Sequence, residues 1–392
     1  MSHYHKEMVS LYMNTTCNLD CKYCYTNKQN YTPQFLDLGF AESLIRDYFS
    51  RQEYSGFKRV IRFFAAGEPT LNIDAVKHIV EFSRKHVGND VEFELQTNGI
   101  LTRYDGEYDF EMAKWIAENI DYIWISCDGI PDIQNEYRPI FGGVYESPPK
   151  LLSHELVEQT IKVCLPICKK MIGVRMTIVE KNLCKQKEMI QYFYDLGIRD
   201  IWADPLFPSV GQKNAIEEID LDLFAKEFIE ACNFAASFGA DPSNPKFDKV
   251  IYGSNYTCNF DEEIKHYCRA CKPVPHATTD GYVSSCDMAM FKEAEGSISA
   301  CMNKLIYGYW DASLGIIQYD LQKMQSLRDR NCDNLNHCQG CIARLHCGGY
   351  CLGEITNETG RLDGILPSKC NTVRYLYQHM NQRQRHYRYS HP

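Results

Sequence analysis

The sequence lacks the features of a membrane-bound, secreted or nucleic-acid-binding protein. No apolar run in its 392 residues approaches the roughly 20 residues that a helix needs to cross a bilayer. The first residues, MSHYHKEMVSLYMN, contain no apolar core followed by a small-residue cleavage site. Acidic residues outnumber basic ones by 51 to 42, and the net charge of −9 provides no electrostatic footprint for nucleic acid. We therefore expect a cytoplasmic protein that binds neither a membrane nor nucleic acid.

Cysteine is absent from residues 25–126 but abundant elsewhere. The chain has 19 cysteines, and eleven of them fall within residues 258–370. A disulfide scaffold is normally short and secreted, and an odd number of cysteines leaves at least one thiol unpaired. Clustered cysteines in a long chain without a secretory signal therefore indicate metal ligands.

The first half of the chain alternates between strand-like and helix-like segments. Apolar runs predict strands at 9–13, 60–64, 91–95, 122–126, 172–179 and 201–207. Helical spacing predicts helices at 40–49, 75–86, 110–119, 156–169, 186–196 and 220–238. Six strand–helix units imply an α/β fold with a parallel sheet and right-handed crossovers. In an open sheet or a barrel, ligands then gather at the C-terminal ends of the strands.

A three-cysteine loop follows the first predicted strand. Cys17, Cys21 and Cys24 have the spacing C-x3-C-x2-C. Three thiolates can hold three irons of a [4Fe–4S] cube and leave the fourth iron for a small molecule. Structural zinc normally takes four local ligands, so the spacing favours iron–sulfur, although zinc and free thiols remain alternatives.

The segment CNLDCKYCY resembles the signature loop of the radical S-adenosylmethionine (SAM) enzymes. Ala66-Gly67-Glu68-Pro69 resembles that family's Gly-Gly-Glu-Pro turn, with alanine in place of the first glycine. The resemblance implies a partial (β/α)6 TIM barrel and a 5′-deoxyadenosyl radical, made from SAM with one electron from the cluster. It also implies a set of SAM-binding residues at the strand ends: Gly67, Glu68, Asn98, Ser126, Asp128 and Arg138.

The C-terminal half contains a second set of cysteines. Its spacing alone suits either two zinc ribbons or two [4Fe–4S] clusters. The full pattern resembles the SPASM extension of radical SAM enzymes. That resemblance implies a first auxiliary cluster on Cys268, Cys271, Cys286 and Cys351, and a second on Cys338, Cys341, Cys347 and Cys370. Cys258 could replace Cys268, or one iron of the first auxiliary cluster could stay open. With the signature loop, the prediction is three [4Fe–4S] clusters.

The resemblance divides the chain into four parts and suggests further site residues. The barrel occupies residues 1–215, a helical linker 216–265, the SPASM extension 266–375 and a basic tail 376–392. Asp287 stands where sulfatase maturases of this family have a proton-accepting aspartate, and a solvated acid or helix cap is the alternative. Cys127 and Cys258 are candidate hydrogen-atom donors, although buried free cysteines are commonly inert.

Three functional hypotheses follow from the sequence. The favoured one is a maturase that installs a thioether, a carbon–carbon crosslink or an epimer in a ribosomally made peptide. The second is an anaerobic sulfatase maturase that forms formylglycine, and the third is a non-catalytic metal-binding module. An enzyme of the first kind needs a peptide or protein substrate and a flavodoxin- or ferredoxin-type reductant. No leader-binding module precedes Cys17, so we expect either a separate recognition protein as a further partner or direct recognition of a short peptide sequence by the barrel and residues 208–265.

Overall fold

A computed structural model describes residues 6–24, 33–51, 58–64, 66–206, 219–238, 249–257, 260, 263–290 and 300–380. These residues form strands β1 (Lys6–Tyr12), β2 (Lys58–Phe64), β3 (Glu92–Thr97), β4 (Tyr122–Ser126), β5 (Met171–Ile178), β6 (Asp200–Pro205), β7 (Ile251–Gly253), β8 (His276–Ala277), β9 (Tyr282–Ser284), β10 (Ile306–Asp311) and β11 (Ile316–Tyr319). All of them belong to one sheet, in the order β11-β10-β9-β8-β1-β2-β3-β4-β5-β6-β7.

The strands from β1 to β7 run parallel, each beside the next in the chain. The first six confirm the predicted α/β architecture, and the sheet has two free edges rather than closing into a barrel. The prediction did not include β7, which lies in the segment expected to be a helical linker.

The helices of the described residues are α1 (Leu38–Phe49), α2 (Ile73–His86), α3 (Phe110–Asn119), α4 (Pro131–Tyr137), α5 (Ser153–Cys164), α6 (Glu180–Leu183), α7 (Gln186–Asp195), α8 (Leu221–Ser237), α9 (Leu321–Asp329), α10 (Arg344–Cys347), α11 (Leu352–Thr359) and α12 (Pro367–His379). Asp37 and Asp109 cap α1 and α3 by accepting hydrogen bonds from backbone N–H groups of the first turn. The helix predicted at 156–169 ends at Cys164, because Pro166 cannot continue it.

The core lies between the parallel strands and the helices. One face of each strand is fully buried and apolar, as at Ile61, Phe93 and Val174. Alternate residues of the same strands point the other way. That second face contains Arg62, Glu94 and other polar side chains that line a cavity. The sheet therefore has an apolar outer side and a polar inner side.

The cysteine-rich region continues the same sheet. Strand β8 pairs in parallel with β1, through Ser10 with His276 and Leu11 with Ala277. Strands β9, β10 and β11 follow as antiparallel neighbours. The strand that precedes the three-cysteine loop thus lies between the barrel-like half and the cysteine-rich half.

Two further observations concern the chain as a whole. None of the helices in the described ranges is both long and apolar enough to span a membrane. The structure shows no disulfide bond among the cysteines in those ranges.

Candidate active site

A cavity of about 590 Å³ lies at the C-terminal ends of the parallel strands. Cys17, Cys21 and Cys24 line one part of its wall, and Cys268, Cys286 and Cys351 line another. Five of the six predicted SAM-binding residues also line it: Gly67, Glu68, Asn98, Ser126 and Arg138. The structure thus brings the signature loop, the strand ends and part of the second cysteine set around one space.

Asp128, the sixth predicted SAM-binding residue, lies behind the cavity wall. It is completely buried, and its carboxylate accepts hydrogen bonds from the Tyr23 hydroxyl, from Arg138 Nε at 3.0 Å and from the Thr177 backbone N–H at 3.0 Å. Burial raises the pKa of Tyr23, so its hydroxyl remains a donor. Arg138 Nη1 also points at Cys21 Sγ over 3.9 Å. Asp128 therefore positions the cysteine loop through Tyr23 and Arg138.

The Glu68 carboxylate joins the ends of β2 and β3. Oε1 accepts hydrogen bonds from the Thr70 N–H, the Thr70 hydroxyl and the Thr97 hydroxyl, at 3.1, 2.9 and 2.7 Å. Oε2 accepts one from the Asn98 N–H at 2.7 Å. Burial raises the pKa of Glu68, and the four hydrogen bonds oppose that rise. Because both carboxylate oxygens accept hydrogen bonds from the protein, Glu68 connects the ends of the two strands and stabilises their relative positions.

The backbone around Gly67 touches the base of the cysteine loop. The Glu68 N–H donates to the Thr16 carbonyl at 2.7 Å, and the Gly67 N–H donates to the Asn14 carbonyl at 3.2 Å. A Cβ at position 67 would lie 1.9 Å from the Thr16 carbonyl oxygen. Ala66, which departs from the family pattern, fits in a buried position. The close approach thus requires glycine at 67.

Asn98 connects the end of β3 to the cysteine loop. Its Nδ2 donates to Asn18 Oδ1 at 2.7 Å and points at Cys17 Sγ over 3.6 Å. Its Oδ1 accepts from the Ile100 N–H at 2.9 Å, which fixes the orientation of the amide. N–H groups that point at cysteine sulfur suit a site in which that sulfur is a negatively charged ligand.

The four cysteines expected to hold the first auxiliary cluster lie close to one another. Cys268 donates a hydrogen bond to Cys271, which raises the pKa of Cys268 and lowers that of Cys271. Burial raises the pKa of the Cys351 thiol, and negative charge on Cys286 and Cys268 raises it further. Gly353 belongs to the same place, because a Cβ there would lie 2.7 Å from Cys286 Sγ.

The four cysteines expected to hold the second auxiliary cluster also form one group. Burial, and then negative charge on Cys370, raises the pKa of Cys338 to about 11 and that of Cys347 to about 12. Cys341 acts on Cys370 in the same way. Thiols of this kind lose their protons only when a cation replaces them.

A buried ion pair links the two auxiliary groups. Lys369 Nζ lies 3.0 Å from Glu354 Oε1, and both side chains are less than a tenth exposed. Lys369 precedes Cys370 on α12, whereas Glu354 is on α11 just after Cys351. The pair therefore fixes the position of one cysteine group relative to the other.

The donor sets fit the clusters that the sequence predicts. Each of the three places offers cysteine thiols, which are the ligands that iron–sulfur clusters use. Across the described ranges, no three His, Cys, Asp or Glu side chains surround a point suited to a single metal ion. Cys17, Cys21 and Cys24 would hold the first cluster, and the two groups of four would hold the auxiliary clusters.

Asp287 faces the cavity within a charged trio. Its Oδ1 accepts from Arg62 and lies 2.8 Å from His276 Nε2. Arg62 also donates to the Ser10 hydroxyl at 2.9 Å. Burial would raise the pKa of Asp287, but Arg62 and His276 together hold it well below the usual range. Asp287 is therefore an ionised carboxylate that Arg62 and His276 hold at the edge of the cavity.

The two candidate hydrogen-atom donors differ in what the structure shows. Cys127 is buried in the core, outside the cavity lining, and points at the Gly129 carbonyl over 3.7 Å. Burial raises its pKa to about 12, so it stays a protonated thiol, and it is its place outside the cavity lining that argues against a role as hydrogen-atom donor. Cys258 lies outside the described residues.

Several cavity residues escaped the sequence interpretation. They are polar side chains on the inner face of the strands: Arg62, Glu94, Gln96, Arg175, Thr177 and Asp204. The detectable signal was a polar residue at every second position of an otherwise apolar strand, as in VIRFF, FELQT and GVRMT. In a strand with both faces covered, such a residue faces an internal polar space.

The cysteine loop lies in a part of the chain that is similar to radical SAM proteins. Residues 11–165 match the model of the Radical SAM superfamily. In sequence, the chain is similar to a cysteine-type anaerobic sulfatase-maturating enzyme of Clostridium novyi (strain NT). The two are 26% identical over 188 residues, which cover 46% of this chain and 45% of the relative. The chain spans about half the length of the curated relatives it matches.

Solved structures extend the likeness of the fold to nearly the whole chain. The structure of anSMEcpe with bound AdoMet has a TM-score of 0.70 at 18% identity, covering 95% of this chain and 92% of that one. Streptococcus suis SuiB bound to precursor peptide SuiA has a TM-score of 0.58 at 13% identity, covering 93% and 76%. Native anSMEcpe has also been solved with AdoMet and a Cp18Cys peptide.

Proposed function

We propose that this protein is a radical SAM maturase that modifies a ribosomally made peptide in a reducing cytoplasm. The observation that supports the proposal best is a cavity that both the three-cysteine loop and the first auxiliary cysteine group line. A substrate in that space would lie between a radical source and a second redox centre. The peptide-bound states of the two neighbours show that related folds admit peptides.

The residues of this chain would serve mainly to hold and orient. Cys17, Cys21 and Cys24 would bind the first cluster, while Ser126 and Arg138 face the space beside it that SAM would fill. With SAM bound, the cluster would supply a 5′-deoxyadenosyl radical that takes one hydrogen atom from the substrate. Glu68, Asp128 and Asn98 hold the surrounding loops in place. Such positioning uses binding energy to hold the reacting groups in the orientation that the reaction needs.

The two auxiliary groups would complete a set of three [4Fe–4S] clusters. In a crosslinking reaction the substrate radical must give up one further electron. A cluster held by the first auxiliary group would be the nearer electron acceptor, because three of the cysteines of that group line the cavity. A flavodoxin- or ferredoxin-type protein would supply the electron that starts the reaction, and a separate protein would present the leader of the peptide.

Formylglycine formation in a sulfatase is the second candidate. Asp287 favours it, because this carboxylate faces the cavity directly after Cys286 and is ionised, as a proton acceptor must be. The ion pairs of Asp287 with Arg62 and His276 argue against this second function, because they lower the pKa of the carboxylate and so make it a weak base.

Anaerobic turnover followed by mass spectrometry tests the proposal. The protein, reconstituted with iron and sulfide, is incubated with SAM, a reductant and a small peptide encoded beside its gene. A crosslink or thioether removes two hydrogens from the peptide and yields 5′-deoxyadenosine, whereas an epimer incorporates one deuterium in heavy water. A sulfatase-derived Cys or Ser peptide is the matched alternative substrate.

The outcomes separate the hypotheses. Formylglycine in the sulfatase peptide, with the small peptide unchanged, would replace the first candidate by the second. Bound zinc without acid-labile sulfide would contradict both and favour a non-catalytic module. Cys17→Ser is the inactive control, because it removes a ligand of the first cluster.

A further inference from the structure

Arg175 on β5 is a half-buried cation on the cavity wall, and its Nε atom is fully buried. Its guanidinium lies over the Trp124 ring, 5.2 Å from the centroid, and Trp202 is beside it in the register of β5 and β6. Gly173 and Gly253 make room for the two indoles, since a Cβ at either position would lie within 3.0 Å of a ring atom. The Trp124 ring thus supports the guanidinium from one side.

Within the described residues, the Arg175 side chain forms no hydrogen bond and no ion pair, and its buried Nε has no acceptor. A guanidinium carries five N–H donors. A buried N–H of a charged group normally has an anion or oxygen partner, because leaving it unsatisfied is unfavourable. Because Arg175 lines the cavity, a ligand in the cavity could provide this anion or oxygen partner.

The nearest acid does not fill this role. Asp204 interacts with Arg175 through its charge, but its carboxylate already accepts four hydrogen bonds. These come from the Ser254 hydroxyl at 2.8 Å, from Trp202 Nε1 at 2.9 Å, and from the N–H and Nδ2 of Asn255 at 2.7 Å each. The guanidinium donors of Arg175 therefore remain available to a ligand.

Gln96 on β3 presents the complementary group. Its Oε1 is buried without a donor among the described residues, and the side chain lines the same cavity. The lumen thus offers an arginine that lacks an acceptor and an amide oxygen that lacks a donor. A peptide segment with a carboxylate and a free N–H supplies both.

We propose that Arg175 binds a carboxylate of the peptide substrate while Gln96 accepts a hydrogen bond from a neighbouring peptide N–H. The carboxylate belongs either to an Asp or Glu side chain or to the C-terminus of the peptide. This inference rests on the proposed function, because it requires that the cavity receive a peptide.

Anaerobic titration calorimetry of the reconstituted protein tests it, with SAM present and no reductant, so that no turnover occurs. The probes are acetyl-Ala-Glu-Ala-amide, its Gln counterpart, and acetyl-Ala-Ala-Ala with a free C-terminal carboxylate. One of the two acidic probes should bind at least about 10-fold more tightly than the neutral one, because a hydrogen bond to a charged group contributes about 1.5–3 kcal/mol. The tighter acidic probe identifies the source of the carboxylate.

Three variants make the test specific. Arg175→Gln should reduce the ratio between the affinities of the tighter acidic probe and the neutral probe to about 1. Arg175→Lys should keep part of this preference, because the positive charge remains. Gln96→Leu should weaken the acidic and the neutral probe alike. Arg103→Gln is the control, since Arg103 is exposed, pairs with Asp105 and carries the same charge away from the cavity. Circular dichroism confirms that each variant is folded.

The proposal is overturned if Arg175→Gln leaves the ratio unchanged or if neither acidic probe binds at about 5 mM, the weak end of specific binding. The proposal is also overturned if Arg175→Gln weakens the binding of SAM but not the binding of the acidic probes. Failure of the proposed function would look different, since the reduced protein would then form no 5′-deoxyadenosine whatever the probes show.

Discussion

Gly67 is the position at which the smallest change should disturb the cysteine loop most. In Gly67→Ala the new methyl carbon would lie 1.9 Å from the Thr16 carbonyl oxygen and 2.6 Å from the Thr16 nitrogen. Ordinary contacts of this kind are about 3.4 Å or longer, so the two backbones must separate by roughly 1.5 Å. Neither backbone can rotate away as a side chain would.

The separation breaks specific interactions. The hydrogen bond from the Glu68 N–H to the Thr16 carbonyl, now 2.7 Å, cannot survive it, and Cys17 is the next residue in the chain. Overpacking costs about 1–3 kcal/mol, and a lost buried hydrogen bond about 1 kcal/mol more. We expect the free energy of unfolding to fall by about 2–4 kcal/mol.

Three measurements check this reasoning: the midpoint of urea unfolding, the iron content of the reconstituted protein, and the dissociation constant for SAM. Gly67→Ala should lower the midpoint, lose part of the iron and weaken SAM binding by at least about 10-fold. Ala66→Gly is the matched control, because it changes the adjacent residue by one methyl group without a clash. Parental iron content and SAM affinity in Gly67→Ala would refute the close approach.

Three further predictions concern the loop, the sheet and the clusters. Asp128→Asn should lower the free energy of unfolding, measured in urea, by about 3–5 kcal/mol, because Arg138 keeps a buried charge without its partner. Adding Arg138→Gln to this variant should recover part of the lost stability. No recovery in the double variant would contradict the pairing of the two residues. Burial raises the pKa of Asp200 to about 7, so the folded state takes up a proton that the unfolded state, with its lower pKa, does not. Stability should therefore fall by about 1.4 kcal/mol between pH 6 and pH 8 through this group, and Asp200→Asn should remove that part of the slope; an unchanged slope would argue against a buried acid. Cys17→Ser should lower the iron content by about four atoms per chain. Cys184→Ser is the control and should leave the iron content unchanged, because Cys184 is an exposed thiol outside the cavity. Equal iron losses in both variants would contradict the assignment of a cluster to the three-cysteine loop.

The parallel half of the fold was predictable because its signals are local. Each of the six strands is a short apolar run that ends at a polar turn, and α3 was predicted with the bounds that the structure shows. The short helix α4 was missed because seven residues give too few turns for a periodic pattern, although Pro131 marks its first turn. Strand β8 has only two residues and becomes a strand through its pairing with β1, which no local pattern reveals.

The candidate site was predictable in its residue types rather than in its contacts. The spacing of the cysteines and the strand-end motifs led to residues that the structure places around one cavity. The sequence could not show that the Asp128 carboxylate binds Tyr23 and Arg138 instead of lining the cavity, because these partners come from separate segments. Nor could it show the trio of Arg62, His276 and Asp287, which depends on the pairing of β8 with β1.

That pairing has a mechanical consequence. The three-cysteine loop follows β1, and the first auxiliary group is arranged around β8 and β9, so a continuous hydrogen-bonded ladder connects the two thiol sets. Because β8 is hydrogen-bonded to β1, any shift of β8 would also move the first auxiliary group relative to the three-cysteine loop. This short ladder therefore helps to set the width of the cavity between the two thiol sets.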